Sequence, residues 1–235
     1  MYDKSKSKIK IVQEIAQQLP APPSPSFFLC DSWYTSADIL KAFAKKGFFT
    51  VGALKTNRIL YPAGYKCSVS ELASYMKESM SSIHTVTVGK RKYKVYRYEG
   101  SVNGIGKVVV LLSYPENAFG EPAVLCAFLC TDCTLSIEEI LVIYIEWWPI
   151  EVFFRESKQK LGFDQYQIRS SQGTKRFWLL MSLAHFLCCT GTEKNGSFKE
   201  GYAFFQRESL IERITYIYQC GATQRPLDDV WALVG

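Results

Sequence analysis

Residues 26–53 read SFFLCDSWYTSADILKAFAKKGFFTVGA, and the order of signals within this stretch decides the fold. Ser26–Cys30 is a short apolar run that follows the prolines at 20, 22, 23 and 25, the pattern of a buried strand after a turn. Asp31 stands at its carboxyl end. Ser36 is placed to cap a helix over Ala37–Lys46, Gly47 to end it, and residues 48–54, FFTVGAL, return as a second strand. Strand, helix, strand in this rhythm predicts a βαβ unit with parallel pairing, and hence an α/β protein.

Upstream, Ile9, Ile11, Val12, Ile15, Ala16 and Leu19 form a helical stripe with lysines opposite, predicting a helix over residues 4–19. Downstream the rhythm changes. TVTVG (85–89), KYKVYRYEG (92–100), KVVVLLSY (107–114) and AVLCAFLC (123–130) alternate or run apolar, with glycines and a Pro-Glu-Asn turn between them. They predict an antiparallel sheet inserted into the α/β frame. Ser136 and Glu139 then form a capping box, and helical pattern continues towards Lys160 with a kink at Pro149. A further apolar helix is expected over about 173–190 and a short amphipathic one near 205–219. The expected organisation is a partial α/β core over 1–55, a β-rich insertion over 56–134, core helices over 135–190 and a tail with a helix over 191–235.

At 235 residues and 48% hydrophobic, the chain can bury a core in one domain with an insertion. A net charge of +6 permits a polyanionic partner without demanding one. No apolar run approaches the ~18 residues of a membrane span, and MYDKSKSKIK lacks a signal-peptide core, so a cytoplasmic chain is expected. Disulfides are rare under reducing conditions, and of the eight cysteines Cys126, Cys130, Cys133, Cys188 and Cys189 lie mostly in apolar surroundings and read as small buried hydrophobes. Cys130 and Cys133 form a C-x2-C pair that His185 and Cys188 could complete as a zinc site. The second half lacks pair spacing, so zinc is the weaker reading. His84 reads as a surface residue.

The chemistry concentrates in residues 144–158, YIEWWPIEVFFRESK. Tyr144, Glu151 and Lys158 are seven apart, two helical turns each, which predicts one shared face, with Arg155 a turn beyond Glu151. Glu151 is set among Trp147, Trp148, Ile150, Val152, Phe153 and Phe154, and a carboxylate in so apolar a segment needs a partner or a metal. Asp31, at a strand's carboxyl end, lies where α/β sheets place ligand groups, although taken alone it also reads as a turn former. Two carboxylates suit magnesium, which prefers oxygen ligands and keeps several waters. Ions so held could activate a water or a 3′-hydroxyl in phosphodiester attack, with Arg155 and Lys158 gripping phosphates.

Tyr144-x2-Trp147-x3-Glu151-x6-Lys158 resembles the Tyr-x2-Arg-x3-Glu-x6-Lys signature of bacterial insertion-sequence transposases of the DDE superfamily. Residues 148–170, WPIEVFFRESKQKLGFDQYQIRS, and 28–58, FLCDSWYTSADILKAFAKKGFFTVGALKTNR, are similar to two of that family's blocks, in the same order. The resemblance covers roughly residues 4–190. It implies an RNase H-like core carrying a β-rich insertion, cut-and-paste DNA strand transfer, and magnesium, or manganese in its place, as the cofactor. Asp31 matches the second catalytic aspartate and Glu151 the catalytic glutamate, the two metal ligands. Tyr144 and Lys158 match the signature's tyrosine and lysine, and with Arg155, Lys55 and Arg58 are the expected DNA contacts.

Two departures stand out. Trp147 replaces the signature's arginine, and an indole can stack on a base but cannot pair with phosphate. The first aspartate has no counterpart, since Asp3 precedes a helix instead of ending a strand. The expectation is therefore the C-terminal part of a transposase catalytic domain, with the core's N-terminal strands missing, catalytically silent, and with an apolar strand edge that favours self-association. Expected partners are DNA (transposon ends and target) and a second copy or a full-length transposase, with no membrane and a nucleoid-associated location. The alternatives are a non-catalytic DNA-binding or regulatory remnant, carried by Lys55, Arg58, Arg91, Lys92, Lys94, Arg155, Lys158, Arg169, Lys175 and Arg176, and an RNase H-like nuclease.

Overall fold

The structure, a computed structural model, describes residues 6–77, 80–191 and 197–234. Asp3, Lys4 and Ser5 lie outside the described residues. The chain divides into two compact units, Met1–Trp148 and Pro149–Gly235.

The first unit runs α1 (Lys8–Gln18), β1 (Ser26–Cys30), α2 (Ala37–Ala44), β2 (Phe48–Ala53), β3 (Ile59–Leu60), β4 (Cys67–Ser68), α3 (Val69–Ser74), β5 (Ile83–Val88), β6 (Arg91–Val102), β7 (Gly106–Pro115), β8 (Cys126–Cys130) and α4 (Ile137–Ile145). All the strands join one eight-stranded sheet in the order β1-β2-β8-β7-β6-β3-β4, with β5 also paired to β6. β1 and β2 are parallel, and the remaining pairs are antiparallel. The strands following residue 56 therefore extend the parallel pair instead of forming a sheet of their own. Val51 of β2 pairs with Cys130 of β8, and Cys130 pairs on its other side with Val109 of β7. β1 occupies one edge of the sheet.

β7 explains why its sequence runs apolar instead of alternating. Val108, Val110 and Leu112 enter one buried cluster with Leu54, Leu60, Leu129 and Val69 of α3. Val109 and Leu111 enter another on the opposite face, with Val51, Val95 and Ile137, Ile140 and Leu141 of α4. A strand covered on both faces has no solvent side to leave polar. A third cluster joins Ala16 of α1 to Ile39 and Phe43 of α2, and the Phe43 ring stacks on Phe28 of β1 at 3.6 Å between centroids.

Local signals act much as their chemistry predicts, with one exception. Gly47 follows α2 at φ +87°, a conformation that disfavours a side chain. The Ser136–Glu139 capping box is present, Glu139 N–H donating to Ser136 Oγ at 3.2 Å and Ser136 N–H to Glu139 Oε2 at 2.7 Å. Ser36 takes the N-cap backbone conformation, but its hydroxyl makes no capping bond.

The helix expected from 136 to 160 is two helices. Pro149 has no N–H to donate to the Ile145 carbonyl, and proline is tolerated in the first turn of a helix. α4 accordingly ends at Ile145, capped by Glu146, and α5 (Trp148–Leu161) starts anew. The second unit continues with α6 (Ser171–Thr190), α7 (Phe198–Ala222) and α8 (Leu227–Val234). α7 is far longer than the short helix expected near 205–219. Gly201 lies buried inside α7, where an added Cβ would run into the Cys188 carbonyl of α6. The glycine serves close helix approach.

Candidate active site

Asp31 follows the last residue of β1 and shapes the loop that leads into α2. Its Oδ1 accepts the Trp33 N–H at 2.8 Å, and its carbonyl accepts the Tyr34 N–H at 3.1 Å. The Thr35 hydroxyl donates to the Ser32 carbonyl at 3.1 Å, so the loop is held by its own polar groups. One carboxylate oxygen of Asp31 is thus engaged in a turn. The side chain is half-buried and borders a recess of about 330 Å³ with Ser7, Lys8, Ile9, Trp33 and Tyr34.

The loop sits close against β2 because position 52 is glycine. Gly52 pairs with Cys30, and an added Cβ would lie 2.7 Å from Cys30 Sγ and 2.8 Å from Thr35 Cγ2. Burial, reinforced by the negative charge of Asp31, pushes the Cys30 thiol up to about 12. This cysteine is a packing residue, not a nucleophile.

Two predicted cations converge on the same loop. The Arg58 guanidinium donates to the Thr35 carbonyl at 2.7 Å, pinning the segment after β2 to the Asp31 loop. Lys55 Nζ lies 4.4 Å from the centroid of the Trp33 ring. Arg58 is thereby a structural strut before it is anything else, whereas Lys55 remains exposed.

Glu151, Arg155 and Lys158 share one exposed face of α5, as their spacing predicts. Tyr144 belongs to α4, a separate helix. It packs against the Phe128 ring of β8 at 4.5 Å between centroids. The Glu151 side chain is exposed, as are those of Trp148, Ile150 and Phe154.

Sequence reading passed over the opposite face of α5. There Glu156 Oε2 lies 3.1 Å from His185 Nε2 of α6, and Cys189 Sγ lies 3.7 Å from His185 Nδ1. The tautomer that satisfies both bonds carries its proton on Nε2. The His185 ring is stacked on Phe198 of α7 at 4.7 Å and meets Phe153 edge-on at 4.8 Å. Burial raises the Cys189 thiol above its ordinary range, and the Glu156 carboxylate adds to the effect, so this line of groups braces helices and does not make a reactive thiolate. The only sequence signal was the i, i+4 spacing of His185 and Cys189 on an apolar helix.

Two groups of the zinc reading, Cys130 and His185, are otherwise engaged. Burial pushes the Cys130 thiol up to about 11, and it donates to the Asp132 carbonyl at 3.3 Å. Among the described residues no three His, Cys, Asp or Glu side chains converge as a metal site. Among the same residues no helix is long and apolar enough to cross a membrane.

Residues 2–187 match the family model of the transposase DDE domain, and the chain belongs to that family. Membership supports a transposase function and implies DNA as the partner. No curated protein matches the chain.

Proposed function

We propose that this chain is part of the DNA-handling machinery of a DDE transposase with an RNase H-like core, in which Asp31 and Glu151 are metal-binding carboxylates. The observation that carries the reading is the position of Asp31. It ends a strand of the parallel pair, half-buried beside a recess, with Lys55 and Arg58 on the adjoining segment. Both donors are hard carboxylate oxygens, the type magnesium or manganese selects. When bound, the metal would polarise a scissile phosphate and lower the pKa of a water or hydroxyl nucleophile. The chain's own residues do the rest: Asp31 and Glu151 hold negative charge in place, Arg155 and Lys158 take phosphate oxygens, and Lys55 adds charge beside the Asp31 loop.

Three acidic residues make up the site that the family resemblance implies, and two of them match positions in this chain. One Asp31 oxygen is also committed to its turn. Assayed alone, the chain therefore binds divalent ions weakly and leaves DNA uncut, behaving as the DNA-binding remnant of the second reading. The test is manganese and magnesium titration followed by calorimetry, on the wild type, Asp31→Asn and Glu151→Gln, alongside cleavage of a transposon-end duplex. Metal binding that both substitutions leave untouched sinks the assignment of the carboxylates. Metal-dependent cutting by the wild type sinks the claim of silence.

A further inference from the structure

We infer that Trp33 is a stacking platform for an unpaired DNA base next to the Asp31 carboxylate, an inference that rests on the DNA-handling role proposed above. Trp33 is 73% exposed, the most open tryptophan among the described residues. An indole is a large apolar surface that proteins ordinarily cover. Here it is presented instead.

Its position is not left to chance. The Trp33 N–H is bonded to Asp31 Oδ1 at 2.8 Å, so the backbone carrying the ring is tied to the carboxylate proposed for the chemistry. The adjacent Thr35 carbonyl is held by Arg58 at 2.7 Å, which stiffens the loop from its other side. Lys55 Nζ lies over one face of the ring, 4.4 Å from its centroid, a cation–π distance, so a base would take the opposite face. The lysine places a phosphate-seeking charge against the ring. An aromatic face with a cation alongside is the combination that binds single-stranded nucleic acid, the ring taking the base and the cation the backbone. The recess shared by Asp31, Trp33, Tyr34 and Lys8, about 330 Å³, is at the small end of ligand pockets (~300–1,000 Å³).

Base stacking does not depend on which base is present, because every base has a π-face. The platform therefore senses whether a base is unpaired and leaves its identity unread. A fully stacked duplex presents no free face to Trp33, whereas a frayed end does.

The experiment compares the wild-type chain, Trp33→Ala, Trp33→Phe and Lys55→Ala for binding to a blunt DNA duplex and to the same duplex with a frayed end carrying 2-aminopurine. Trp33→Ala is expected to weaken frayed-end binding roughly ten-fold, the scale of one lost base–aromatic stack, and to leave blunt-duplex affinity unchanged. Trp33→Phe retains most of the affinity, and 2-aminopurine quenching is lost in the alanine variant alone. Lys55→Ala instead weakens both DNAs and lowers the salt slope by about one. Equal losses on both DNAs for Trp33→Ala, or no loss, overturn the platform while leaving the DNA role intact. A wild type that binds neither DNA overturns both. Because the ring is exposed, matched thermal unfolding of wild type and Trp33→Ala is expected, and it separates a binding loss from a folding loss.

Discussion

Glu156 Oε2 and His185 Nε2 lie 3.1 Å apart, joining α5 to α6 on the side of α5 opposite Glu151, Arg155 and Lys158. The helix that presents the proposed metal and phosphate groups is thus anchored through its other face, where Ser157 is also buried. His185→Ala removes this bond, the Cys189 contact and two aromatic contacts at once. A loss of ~1–3 kcal/mol is expected from the orphaned groups. Hydrogen exchange should accelerate in α5 more than in the sheet of the first unit. Uniform acceleration across both units would show that His185 does not anchor α5.

Gly52→Ala tests how tightly the Asp31 loop is docked. The added methyl meets Cys30 Sγ and Thr35 Cγ2 inside normal contact distance, and overpacking of this kind costs about 1–3 kcal/mol. The loop must shift to accommodate it, so manganese affinity and Trp33-dependent DNA binding should fall together. A Gly52→Ala protein with wild-type unfolding midpoint and wild-type DNA binding would mean that the loop has slack.

Gly201→Ala sets two effects of opposite sign against each other. Alanine favours a helix interior over glycine by about 1 kcal/mol, so α7 alone would gain. The Cβ, however, collides with the backbone carbonyl of Cys188, and backbone cannot rotate aside. Packing should win, and urea unfolding should report net destabilisation. A stabilised variant would show that α6 and α7 separate at little cost.

Two buried thiols give the stability a definite pH dependence. Cys30 is raised to about 12 and Cys130 to about 11, against an ordinary value of 9.0. Folded values above the unfolded one mean that the contribution is fully present below pH 9. It is then lost as pH rises from 9 to the folded values of about 11 and about 12, because the unfolded thiols release their protons first. Each thiol should contribute a slope of roughly 1.4 kcal/mol per pH unit across that window. Comparing urea midpoints of wild type and Cys30→Ala isolates the thiol from tyrosines and lysines that titrate nearby. Parallel curves for the two proteins above pH 9 would contradict the assignment.

Much of the first unit was legible because its signals are local. The Ser26–Cys30 run, Gly47 and the Ser136–Glu139 box each act within a few residues, and the structure follows them. What sequence could not convey was tertiary. The alternation in β5 and β6 implies antiparallel pairing, but not that β8 would return to pair with β2. The helix expected near 205–219 was too short because nothing in the neighbours of Gly201 announces a helix crossing at Cys188. Tyr144 keeps its seven-residue spacing from Glu151, yet Pro149 puts a helix end between them. At the candidate site, Asp31 and the α5 cations were singled out from residue type and spacing. Trp33 and Gly52 were missed, since an aromatic in a turn and a glycine in a strand acquire meaning only once their neighbours are placed.

The return of β8 to β2 also governs how the chain folds. Thr50 N–H donates to Thr131 Oγ1 at 2.8 Å across 81 residues of sequence. β1, α2 and β2 can associate through short-range contacts alone, but the second edge of β2 closes only after the whole hairpin series has formed. Closing so long a loop is slow, and until it happens an apolar strand lies open to neighbouring molecules. Refolding yield should therefore fall steeply with protein concentration, while pulse-labelled exchange should protect α2 before β8. Protection of β8 first would reverse the order.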